Sequence, residues 1–147
     1  MASIERIVIK SISKPQKEDI DHLSMWFCEV FDLGNREDEI EPGILKVMII
    51  RSNSGKGVTS KELNKELDIP RSTVIYHLNR FIDVGLIIRK GRQYYLRSDD
   101  LASTIEDIQA EMFREFNRVI DFAQRMDNIL EVGINGRGKE RKRREKY

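Results

Sequence analysis

Cys28 is the only cysteine in the sequence, and His22 and His77 are its only histidines. An internal disulfide is therefore excluded, and a zinc site built from Cys and His lacks enough ligands. His22 and Cys28, six residues apart, do not share a helix face, so no metal and no other cofactor is expected. Aromatic residues make up only 7% of the chain, too few for the stacked rings that hold single-stranded nucleic acid. No apolar run approaches the roughly 18 residues of a membrane span, and no long apolar stretch leads to a small-residue cleavage site, so a soluble, cytoplasmic protein with no membrane partner is expected. Paired carboxylates and a nucleophile constellation are both missing, and the glycines near Ser54 lack the phosphate-cradling spacing. Catalysis is not expected.

What is present is charge, 35% of the chain, with 26 basic against 25 acidic residues. The balance hides a division. Residues 1–58 carry 8 basic and 10 acidic side chains, 59–97 carry 8 and 4, 98–130 carry 3 and 8, and 131–147 carry 7 and 3. Positive charge is concentrated in the middle, where a polyanion would be met, and at the C-terminal end, which reads equally as a DNA arm or a solubilising end. The 19 isoleucines, 4 glutamines and high charge content are traits of thermophile proteins.

The β-branched residues between Ile4 and Ile12 favour a strand. Ser13 or Lys14 before Pro15 reads as a helix start, and Ile20, Leu23, Phe27, Val30 and Phe31 recur at helical spacing until Gly34. Asn35 to Glu41 reads as a loop. Pro42 then opens a helix in which Ile44, Leu45, Val47, Met48 and Ile50 are apolar nearly all round, as at a core centre. After the small residues from Ser52 to Gly57, Thr59 with Glu62 forms a capping box for a short helix to Leu67. Asp68, Ile69 and Pro70 turn the chain into a second helix from Arg71 to Ile82. On it Val74, Leu78 and Phe81 share one face, while Ser72, Thr73, Tyr76, Asn79 and Arg80 lie roughly opposite. His77, beside Leu78, is expected to pack against the hairpin that follows. That hairpin runs from Leu86 to Leu96, turns at Lys90 and Gly91, and carries Arg89, Lys90 and Arg92 at its tip. Of Tyr94 and Tyr95, which alternate across its strand, one should be core and one exposed. A hydrogen-bonding helix face beside three hairpin cations suits major-groove reading plus phosphate contact, the arrangement of a winged helix-turn-helix.

The stretch from about Ile44 to Leu96 resembles the winged helix-turn-helix domains of ArsR-like and MarR-like bacterial and archaeal transcription regulators. The resemblance rests on Ser60, Lys61, Glu62 and Leu63, then Leu67, Ile69, Pro70, Ser72, Thr73 and Val74, then His77, Leu78, Phe81, Gly85, Leu86 and Ile87, closed by Tyr94, Tyr95 and Leu96. Ile75 stands where the ArsR-like pattern usually has Ser, and that family's metal-binding clusters are missing, so its sensor role does not carry over. The flanking helices fit a MarR-like dimer better.

From Leu101 to Leu130 apolar residues recur at spacings of three and four with one stutter, a heptad-like stripe widened by Phe113, Ile120, Phe122 and Ile129. About 30 helical residues span about 45 Å, longer than a small domain can cover, so the stripe needs a second copy of itself, the N-terminal helix or both, and dimerisation explains it best. The resulting expectation is a mainly α protein with a small β-hairpin: an N-terminal strand and helix extension (1–41), a winged helix-turn-helix domain (42–97), a long C-terminal dimerisation helix (98–132) and a flexible basic tail (133–147). It would act as a homodimeric, sequence-specific regulator on double-stranded DNA. Arg71, Ser72, Thr73, Tyr76 and Arg80 would enter the major groove, and Arg89, Lys90 and Arg92 would meet the backbone or the minor groove. The alternative is a protein-binding adaptor of the same fold. The sequence assigns no small-molecule effector.

Overall fold

The computed structural model describes Ile4, residues 7–33 and residues 40–134. They form five helices and one small sheet: α1 (Ile20–Val30), α2 (Ile40–Ser52), β1 (Val58–Thr59), α3 (Ser60–Leu67), α4 (Arg71–Asp83), β2 (Ile87–Lys90), β3 (Gln93–Leu96) and α5 (Leu101–Ile134). The chain divides into two units after Ile108. Gly34, most of the expected 35–41 loop and the tail from residue 135 lie outside the described residues.

In the first unit the helices start and stop where side chains satisfy the backbone. The Asp19 carboxylate accepts from His22 N at 2.8 Å and caps α1, so that helix begins later than Pro15 suggested. The segment before it is tied down by Trp26, whose Nε1 donates to Ser13 O at 2.8 Å. Residues 7–12 form no strand; one backbone bond, Lys10 N to Val30 O, anchors them. Short isolated β-branched runs lack the ladder partner that would make them strands. Thr59 Oγ1 accepts from Glu62 N and caps α3 as the sequence indicates. Asp68 adopts a left-handed conformation, φ 52°, to leave α3.

The core is aliphatic. Ile44, Leu45 and Met48 of α2, Leu63 of α3, Val74, Leu78 and Phe81 of α4, and Leu86 and Ile87 entering β2 are all fully buried. Ile50, expected within an all-round apolar helix, is instead 51% exposed. The sheet is antiparallel in the order β1–β3–β2. Its edge strand β1, two residues pairing Val58 with Tyr94 and Thr59 with Gln93, is too short to show any alternation in sequence. Lys90 pairs with Gln93, which places the turn on Gly91 and Arg92, one residue later than expected. Gly91 takes φ +63° there, the left-handed region that glycine enters without penalty. Tyr94 is buried, as expected of one of the pair, but Tyr95 is half-buried rather than exposed, its ring lying close against Gly57.

Asp100 starts α5 by accepting from Ser103 N at 2.7 Å, and Thr104 and Ile108 are buried in the first unit. The second unit holds the rest of α5, which continues past Leu130 to Ile134. Its Phe113, Phe116, Val119, Ile120, Phe122, Met126, Ile129 and Leu130 are exposed. No helix among the described residues is long and apolar enough to cross a membrane.

Candidate nucleic-acid interface

α3 and α4 are joined by the three residues 68–70 and pack together, and α4 also packs on β2. At 100° per residue, Ser72, Tyr76 and Asn79 cluster within about 60° of one another on α4, opposite Phe81. All three are exposed, Tyr76 at 61%. Arg71 is exposed at the start of the helix, where its Nε donates to Ser60 Oγ at 3.2 Å. Thr73 is half-buried at the flank of this face. The set is dense in donors and acceptors on rigid backbone, which is what reading base edges demands.

The hairpin presents Arg89, Lys90 and Arg92, all exposed. Two are braced by rings from the neighbouring strand: the Arg89 guanidinium lies 5.5 Å from the Tyr94 ring centre, and Lys90 Nζ lies 5.6 Å from that of Tyr95. Arg89 Nε also donates to Gly91 O at 2.8 Å. Arg92 occupies the turn itself.

Both acids of α3 are occupied. Arg51 of α2 binds Glu62 Oε2 at 2.6 Å and Glu66 Oε1 at 2.9 Å, and its guanidinium holds the Glu62 carboxyl below its ordinary value. With both acids of α3 paired, Lys61 and Lys65 remain exposed on that helix and extend the cationic surface. Neither lysine is in the expected set; their signal is the excess of 8 basic over 4 acidic residues in 59–97.

Arg80 must be removed from the outward set. It lies about 80° round α4 from Ser72, and its Nη1 donates to Glu41 Oε1 at 2.6 Å while Nη2 donates to Asp32 O at 3.1 Å. His77, buried, shares the same Glu41 oxygen through Nδ1 at 2.7 Å. It is buried, as a packing residue should be, and its polar partner is on α2. A carboxylate only accepts, so Nδ1 carries the proton of that contact. Glu41, read from sequence as the end of a loop, stands in the first turn of α2 and is 0% exposed. The helix dipole favours a negative charge there.

The nearby Cys28 thiol is pushed up to about 12, first by burial and then by the Glu41 charge. Thiolate is the reactive species, so Cys28 should resist a thiol-specific reagent at pH 8 in the folded protein and react once denaturant is added. Rapid labelling without denaturant would show that this cluster opens.

Among the described residues no group of three or more His, Cys, Asp or Glu is arranged to hold a metal ion. Comparison with protein-family models, curated proteins and solved structures gives no match to this chain.

Proposed function

We propose that the protein is a winged helix-turn-helix regulator of transcription that binds double-stranded DNA sequence-specifically as a homodimer and catalyses no reaction. The observation that carries this reading is the pairing of two surfaces: the exposed Ser72, Tyr76 and Asn79 face of α4 with Arg71 exposed at the helix start, and the cationic turn of the hairpin whose strand β2 packs on α4. In this reading α4 is the recognition helix and reads base edges, while Arg89, Lys90 and Arg92 form the wing and meet phosphate. Lys61 and Lys65 add backbone contacts. Exposed apolar residues on α5 supply the self-association that brings two recognition helices to one duplex.

Electrophoretic shifts on fragmented genomic DNA of the source, followed by titration of the retained fragment at several salt concentrations, test it. Arg92→Ala should weaken binding to all sequences by a similar factor and reduce the salt slope by about 1, because a phosphate contact releases counterions without reading sequence. Tyr76→Ala should cost about 1 to 3 kcal/mol on the preferred site and relax its specificity. If no duplex is retained above background at moderate salt, the regulator reading fails and a protein-binding adaptor takes its place.

A further inference from the structure

Within the first unit, α1, α2 and the last turn of α3 enclose a groove of about 670 Å³ that is open to solvent. Small-molecule sites occupy about 300–1,000 Å³. Asp21, Ser24 and Met25 fall within about 100° of one another on α1 and form its first wall. Lys46 and Val47 of α2 form the second, and Glu66 and Leu67 enter from α3. At Gly43 the two later helices come close: a Cβ there would lie 3.3 Å from Leu67 Cδ2, tighter than ordinary contact.

The charges of the lining decide what fits. Its ionisable residues are Asp21, His22, Lys46 and Glu66, and each is already paired: His22 with Asp19 at 2.8 Å, Asp21 with Lys46 at 2.7 Å, and Glu66 with Arg51 at 2.9 Å. A charged guest would compete with one of these pairs, whereas a neutral guest leaves all of them intact. Met25, Pro42, Val47 and Leu67 supply apolar surface. Met25 is 43% exposed, and its unbranched, flexible side chain moulds to an irregular body. One polar atom is left over. Ser24 lines the groove, is 2% exposed, and its Oγ is buried with no hydrogen-bond partner among the described residues. An unpaired buried hydroxyl costs stability that alanine at the same helix position would not. The hydroxyl therefore has a donor and an acceptor to offer to something the chain itself does not supply.

We infer that this groove binds an uncharged, mainly apolar small molecule carrying one hydrogen-bonding oxygen, with Ser24 Oγ donating to that oxygen and Met25, Val47 and Leu67 enclosing the body. The inference stands apart from the DNA reading, because binding is measured on the protein alone. Glu66 and Leu67 end the helix that turns through residues 68–70 into α4, so the guest lies against the helix pair itself.

Prodan, a neutral naphthalene ketone whose emission shifts to the blue in apolar surroundings, is the probe; anilinonaphthalene sulfonate and rhodamine 6G are its anionic and cationic counterparts. Fluorescence titration of the full chain should show saturable prodan binding. Val47→Phe, which fills the groove, should remove that site, and it should remove no comparable site for either charged dye. Ser24→Ala should weaken prodan binding about threefold to tenfold, the worth of one hydrogen bond, without lowering the stability of the free protein. The exposed apolar face of α5 is the competing location, so Phe116→Lys should leave the site in place. No saturable prodan binding, or binding that Val47→Phe spares and Phe116→Lys abolishes, overturns the site. A charged dye held as tightly as prodan and displaced by Val47→Phe overturns the neutral class. If Val47→Phe loses its helical circular dichroism, Ser24→Ala decides alone: unchanged prodan affinity there overturns the assignment.

Discussion

Arg80→Ala should lower the stability of the protein by about 3 kcal/mol while leaving the sequence preference of DNA binding unchanged. Glu41 is fully buried, and one of its oxygens, Oε1, takes donors from both Arg80 and His77. Removing Arg80 leaves a carboxylate charge in the core with only an imidazole beside it. Stranding a buried charge by removing its partner costs about 3–5 kcal/mol, and the remaining His77 contact together with the 35% exposure of the Arg80 side chain puts this site at the low end. Glu41→Gln should cost less, on the order of 1–3 kcal/mol. It keeps an acceptor for both donors and removes the charge, but it sets an NH2 where Glu41 Oε2 is buried without a hydrogen-bond partner. The two changes should not add: Glu41→Gln on the Arg80→Ala background should recover stability, because the stranded charge is gone. Chemical denaturation of the four proteins measures this. A stable Arg80→Ala protein with relaxed specificity would return Arg80 to the DNA face.

That cluster also marks where the sequence could be read and where it could not. The capping box at Thr59, the α3–turn–α4 unit and the hairpin follow from local chemistry: a hydroxyl that accepts a backbone N–H, a left-handed residue, a glycine in a turn. Such signals involve residues a few positions apart, so they survive without knowledge of the fold. Glu41 and Arg80 are 39 positions apart, and nothing in the run of acidic residues before Pro42 marks Glu41 as buried. Arg80 itself was partly legible. Its position about 80° from Ser72 places it at the border of the polar face, where helix geometry leaves either direction open. β1 was not legible at all, because two residues acquire strand identity only by pairing with Tyr94 and Gln93. The stripe on α5 was plain in sequence, since heptad spacing is periodic.

Val119→Glu should reduce affinity for a two-half-site operator by 10²- to 10⁴-fold while leaving affinity for a single half-site unchanged. Val119 is a heptad core position and is 61% exposed on the single chain, so a carboxylate there is solvated in the monomer. The folded protomer tolerates it. On association the same carboxylate would be desolvated opposite its own copy, and the cost falls on the assembly alone. A linked pair of recognition helices gains its second contact at high effective concentration, and a monomer loses that gain without losing any contact of its own. The half-sites should be pseudo-palindromic and about one helical turn, ~34 Å, or a multiple of it apart, as a two-fold axis requires. Titration of the wild type and the variant against full and half operators separates the terms. If Val119→Glu is monomeric yet binds the full operator as tightly as the wild type, recognition needs no second copy and the homodimer loses its role in DNA binding. If the variant weakens both targets equally, the substitution has disturbed the DNA-reading unit rather than the seam, a result that a half-site control carrying Tyr76→Ala would calibrate.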